Sequence, residues 1–104
     1  MQRRDMVIRL RPERAEQYLH LHAEPWPDVL DILHVRNYSI FLHAGLLFGY
    51  LEYHGDDWTA DSARIAADPV TQQWWALTIP CQECLGTAPD GEWWAPMNPV
   101  FFMP

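Results

Sequence analysis

Apolar and polar residues follow two different periods along this chain, and the switches between them mark its elements. "DMVIRL" (5–10) mixes apolar and charged residues over six positions and reads as a short strand. Pro12 follows, where a first helical turn tolerates it. From Glu13 to about His22, Ala15, Tyr18, Leu19 and His22 fall three and four apart, which predicts a helix that Pro25 and Pro27 break. Pro27 can open a second short helix over "PDVLDILH". "NYSIFLH" (37–43) alternates and carries aromatic and β-branched residues, so a strand is expected there. "AG" (44–45) makes a tight connection, and "LLFGYLEY" (46–53) completes a hairpin. "GDDWTADSARIAAD" (55–68) predicts a short helix with acidic residues near its start. Asp68-Pro69 then breaks and restarts the pattern, with Asp as the cap and Pro in the first position of a helix over 69–79. Residues 80–99 are rich in Pro, Gly and polar residues and read as a long loop. "VFFM" (100–103) predicts a last strand.

The order strand, helix, strand, strand, helix, strand is that of an α+β fold with a ferredoxin-like split β-α-β arrangement, an antiparallel sheet with helices on one face. The other face of the sheet then needs cover. Pairing two such sheets face to face supplies it, so a homodimer is expected. Residues 1–104 show no repeat, low-complexity tract or linker, and read as one domain.

Composition narrows the function classes. Hydrophobic residues make up 49% of the chain, with six Trp, four Tyr and four Phe, enough to build a core. The net charge is −7 and all seven basic residues are Arg, four of them within the first eleven positions. An acidic chain without a second basic cluster is a poor nucleic-acid binder, because phosphate neutralisation supplies most of that affinity. No segment approaches the roughly 20 apolar residues of a membrane helix. Arg9 and Arg11 interrupt any signal-peptide core. A cytoplasmic protein is expected.

Four motifs could carry chemistry. "YLHLHAEPWP" (18–27) holds a His-x-His, but on a helix two residues are about 200° apart, so His20 and His22 face opposite ways and a metal site is not expected. Tyr18 and His22, four apart, share a face. On the residues alone, this favours a half-buried histidine near a helix end. "CQEC" (81–84) is a Cys-x-x-Cys, yet it follows a helix instead of opening one and lacks a second pair for zinc, so two ordinary loop thiols are expected. "WW" (74–75) sits on a helix, so one indole can enter the core while the other lines a cavity. "WW" (93–94) falls in the loop. Asp56, Asp57 and Asp61 read as a solvated helix start.

These segments together resemble one family, the L-rhamnose mutarotases. The resemblance spans nearly the whole chain and rests on "EQYLHLHAEPWPDV" (16–29), "NYSIFL" (37–42), "VTQQWWALT" (70–78) and "PVFFMP" (99–104). It implies a dimeric α+β barrel of ferredoxin-like subunits that interconverts the α and β anomers of L-rhamnose or a related 6-deoxyhexose without metal or organic cofactor. By motif match it implies His22 as proton donor, and Tyr18, Tyr38, Trp74 and Trp75 as sugar-contacting residues. The chain departs from the family's pattern at His20 and Leu21, where basic residues are usual. It departs again at Ala23, where Asn is usual, between Leu33 and Asn37, and across residues 80–98.

Mutarotation opens the pyranose and recloses it on the other carbonyl face. One group must protonate the ring oxygen while another takes the anomeric hydroxyl's proton. A histidine can serve in either direction. The second group is left open. Two other readings stand beside this one: a haem-degrading or quinone-forming monooxygenase of the same barrel type, and a sugar-binding dimer without catalysis.

Overall fold

The computed structural model of the chain describes residues 1–27 and 32–104. Strand β1 (Gln2–Leu10) leads through a 3-10 turn at Pro12–Arg14 into helix α1 (Ala15–Ala23). Strands β2 (Val35–His43) and β3 (Leu46–Tyr53) form the hairpin. Its turn is Ala44-Gly45, both at positive φ (52° and 77°), the twist that a two-residue hairpin loop requires. Helices α2 (Trp58–Ala67) and α3 (Pro69–Thr78) follow back to back. Asp57 caps α2 by accepting from the Ala60 N–H. Asp68 caps α3 by accepting from the Thr71 N–H at 2.9 Å, with Pro69 in the first turn. Two short strands, β4 (Gln82–Glu83) and β5 (Ala95–Pro96), end the fold.

The sheet order β2-β3-β1-β4 is antiparallel throughout, with β5 also on β1. This is the ferredoxin-like α+β arrangement expected from the sequence. Register places the core on one face: Ile8 lies opposite Leu47, and Leu47, Leu51 and Tyr53 share a side of β3. Tyr18 of α1 and Cys81 bury Ile8, Leu10 and Leu47, while Trp58 and Ile65 of α2 pack on Val35, Leu51 and Tyr53. Among the described residues, no helix is long and apolar enough to cross a membrane.

Several expectations need correction. "VFFM" forms no strand: Val100 and Phe101 are exposed, and the free edge of β1 is taken instead by 82–83 and 95–96. The two flanking prolines, Pro99 and Pro104, offer no N–H to a ladder. The short helix expected at 27–34 falls mainly on 28–31, outside the described residues, and Leu33-His34 are a turn. Leu19 stands exposed, because the buried side of α1 runs through Ala15 and Tyr18. Cys81 is fully buried in the core, where desolvation raises its pKa and makes its thiol inert. Asp61 is not a solvated residue. It is buried and accepts a 2.6 Å hydrogen bond from the Tyr53 hydroxyl, which itself accepts from the Asp57 N–H. A Cβ on Gly55 would overlap that Tyr53–Asp61 pair, so the turn passes there only as glycine.

Candidate functional site

Helix α1 brings Tyr18 and His22 together, as four-residue spacing requires. The Tyr18 ring is sealed in the core, and the imidazole lies over it with ring centroids 4.1 Å apart, tilted 31°. Nδ1 of His22 sits 2.9 Å from the Tyr18 carbonyl oxygen. A carbonyl can only accept, so Nδ1 carries a hydrogen and donates it. That fixes the tautomer and leaves Nε2 as the nitrogen that gains or loses a proton. No described residue bonds Nε2. His20, two positions back, is exposed on the other side of the helix.

Helix α3 closes the far side. Trp74 meets His22 edge-on at 5.3 Å, and Trp26, just after α1, meets Trp74 at 5.3 Å in the same manner. The four rings form a continuous aromatic wall. Trp74 is 6% exposed, whereas Trp75 is 38% exposed and makes no ring contact with this group. The structure therefore unites Tyr18, His22 and Trp74 and sets Trp75 apart by one helical step of about 100°.

Tyr38 arrives by a backbone irregularity. Arg36 pairs with Glu52 and Ser39 with Tyr50, so three steps on β2 answer two on β3. This is a β-bulge, with Asn37 at φ 51° and its amide donating to Glu52 at 2.7 Å. The extra residue reverses the alternation along β2. Val35 and Ile40, of opposite parity, both pack into the core clusters, and Tyr38 takes the parity of Ile40. Part of Tyr38 stays exposed (39%), but its surroundings are dense, and burial pushes its pKa up to about 12. Tyr38 thus shares with Ile40 the side of the sheet on which Tyr18 packs.

Two further residues, hidden in what read as a loop, complete the cluster. Gln82 on β4 is 4% exposed and donates from Nε2 to the Tyr18 hydroxyl at 3.3 Å. Its Oε1 accepts from the Trp93 indole N–H at 2.7 Å. Neither was legible beforehand. Gln82 lies between the two cysteines of "CQEC", and a two-residue strand carries no periodic signal. A groove elsewhere, between Pro12, Leu42 and the Ala44-Gly45 turn, has His43 as its one titratable lining residue and offers no comparable pairing.

All four tyrosines resist ionisation. Burial is the main cause for Tyr18, Tyr38 and Tyr53, and donation to Glu52 for Tyr50. A tyrosine whose folded pKa is raised favours the folded state fully below the unfolded value, and that contribution is lost as pH rises through the folded value. For Tyr38 the window runs from 10.0 to about 12. A spectrophotometric titration at 295 nm should therefore show that Tyr18 and Tyr38 form no tyrosinate near pH 10 in the folded chain, so that at least half of the four-tyrosine amplitude is missing there. That missing absorbance should appear only above it, together with loss of near-UV circular dichroism. Full four-tyrosine amplitude at the ordinary value would contradict the burial of Tyr18 and Tyr38 described here.

A family model described as L-rhamnose mutarotase matches residues 3–103. The L-rhamnose mutarotase of Jannaschia sp. (strain CCS1) is 39% identical, with 100% of both chains covered. That of Sinorhizobium fredii (strain NBRC 101917 / NGR234) is 34% identical over 92% of each. Among solved structures, L-rhamnose mutarotase from Formosa agariphila superposes with a TM-score of 0.77 at 23% identity, and Tetracenomycin F2 cyclase from Streptomyces glaucescens with 0.68 at 23%, each over the full length of both chains. The last pair shares the fold alone. One architecture thus carries unrelated chemistries, and the sequence relationship must choose between them. The monooxygenase and non-catalytic alternatives gain no support from these similarities.

Proposed function

The chain belongs to the L-rhamnose mutarotase family, and from that premise we propose that it interconverts the α and β anomers of L-rhamnose or a related 6-deoxyhexose. His22 is the proton donor. The observation that carries this is the Nδ1–H bond to the Tyr18 carbonyl, which leaves Nε2 as the exchanging atom beside the Tyr18 and Trp74 rings. As the imidazolium, His22 passes its Nε2 proton to the ring oxygen while a water molecule takes the anomeric hydroxyl's proton, and the C1–O5 bond opens to the aldehyde. Rotation about C1–C2 presents the other carbonyl face. On reclosure O5 returns its proton to Nε2 and the water returns the other to the anomeric oxygen, so the imidazolium ends as it began. Tyr18 and Tyr38 hold sugar hydroxyls, and Trp74 and Trp75 offer indole faces to the apolar side of the sugar and its C6 methyl. The step needs no metal or organic cofactor, since a placed acid or base supplies roughly 10²–10⁴-fold over a reaction that already proceeds in water.

Saturation-transfer NMR between anomers tests this directly. Exchange in L-rhamnose, or in a close 6-deoxy analogue such as L-fucose, should accelerate on adding the protein. Failure across the panel would refute the assignment.

The active unit in this reading is a homodimer, with residues 1–104 as one domain per subunit. Register supports it: Phe41, Phe48 and Val7 align across β2, β3 and β1 on the face away from the helices, Phe41 open to solvent and the other two half-buried. Phe41 is 62% exposed. An apolar row of this kind on an open sheet marks an interface. Sedimentation should give about twice the 12.2 kDa chain mass, and Phe41→Glu should reduce it to the monomer's. A monomeric wild-type protein would end the dimer proposal. The two free cysteines, Cys81 and Cys84, accord with a reducing compartment such as the cytoplasm.

A further inference from the structure

Gln82 is a buried amide with both ends engaged, and its two partners have different chemistry. An indole N–H can only donate, so the atom 2.7 Å from Trp93 Nε1 must be the amide oxygen. The amide cannot be turned over, and its nitrogen faces the Tyr18 hydroxyl at 3.3 Å. That hydroxyl therefore spends a lone pair on Gln82. Its own hydrogen has no acceptor among the described residues. Leu10, opposite Gln82 in the sheet, belongs to the same buried cluster as Tyr18, so both partners of this bond are anchored on that cluster.

The geometry points to Gln82, locked by Trp93, as a positioning residue that makes Tyr18 a hydrogen-bond donor to a lone pair of the bound sugar. This rests on the mutarotase reading and adds to it a polarity. The sugar presents an acceptor oxygen to Tyr18, not a donating hydroxyl. It also relocates the meaning of "CQEC". The residue that serves the site is the glutamine between the thiols, and the tryptophan that fixes it comes from the 80–98 segment, where the chain departs from the family's pattern. Cys81 is core.

Gln82→Glu tests the polarity, because it keeps size and the Trp93 contact while removing the donor. As a carboxylate it accepts from Trp93 and from the Tyr18 O–H, drawing that hydrogen away from the sugar. As a carboxylic acid at lower pH it can donate again. Taking the variant to wild-type ratio of kcat/KM at each pH cancels every pH effect common to the two proteins. The ratio should be down about tenfold near pH 8 and recover several-fold toward pH 5. A ratio near one throughout would overturn the inference, and so would a loss that does not change with pH, which is what a merely structural role gives.

Trp93→Phe, which frees the amide to rotate, should lose roughly two- to tenfold at all pH values. If Gln82→Glu does not fold, full activity in Trp93→Phe is the overturning result. Wild-type protein that exchanges no sugar removes the mutarotase reading and this inference together. An active wild type with a flat Gln82→Glu ratio removes this inference alone.

Discussion

Replacing His22 with Ala should abolish the acceleration of anomer exchange and leave the chain folded. The expected loss is about 10²–10⁴-fold in kcat, the range for removing a placed acid–base group. The fold should survive because His22 holds little of it. The imidazole is only half-buried, its hydrogen bond goes to a carbonyl of its own helix, and the core beneath is sealed by Tyr18. Ala is also the better helix former, by about 0.5 kcal/mol. The melting temperature and near-UV spectrum should therefore stay close to wild type while saturation transfer between anomers disappears. An Ala variant that still exchanges the sugar would move the proton transfer to another group. His20→Ala is the matched control, being exposed on the opposite side of α1, and should keep full activity.

How much of this was legible in the sequence depends on the range of the signal. Tyr18 and His22 were paired by spacing alone, since a helix fixes which positions share a face. The Ala44-Gly45 turn and the Asp68-Pro69 restart were equally local. What escaped was set by pairing between distant segments. "VFFM" has strand-like residues, but the edge it would need is occupied by 82–83 and 95–96, and no property of residues 100–103 reports that. Asp61 looked like one of a solvated acidic group until Tyr53, eight residues earlier, supplied its donor. The bulge at Asn37 was hidden for a related reason. Asn tolerates positive φ, but only the ladder to β3 shows that one residue is surplus and that Tyr38 therefore takes the parity of Ile40. Gln82 and Trp93, the last links to Tyr18, needed both a two-residue strand and a loop to be placed.

The adjacent indoles of α3 should separate cleanly under mutation. Trp74 is buried between His22 and Trp26, so Trp74→Ala leaves a large void and removes one wall of the site. Buried Trp→Ala changes cost about 3–5 kcal/mol, a large part of the roughly 5–15 kcal/mol that holds a domain folded. Denaturant midpoints should fall sharply, and any activity that persists at low temperature should be weak, because His22 loses the ring that confines it. Trp74→Phe keeps an aromatic edge against the imidazole and should recover much of both. Trp75→Ala should behave differently. At 38% exposure and outside the aromatic group, its removal should cost no more than about 1 kcal/mol. Its effect should appear in KM, which should rise as an indole contact with the sugar is lost, with kcat little changed. An unchanged KM would strike Trp75 from the sugar-contacting residues, and a stability loss as large as that of Trp74→Ala would mean that both rings serve the core.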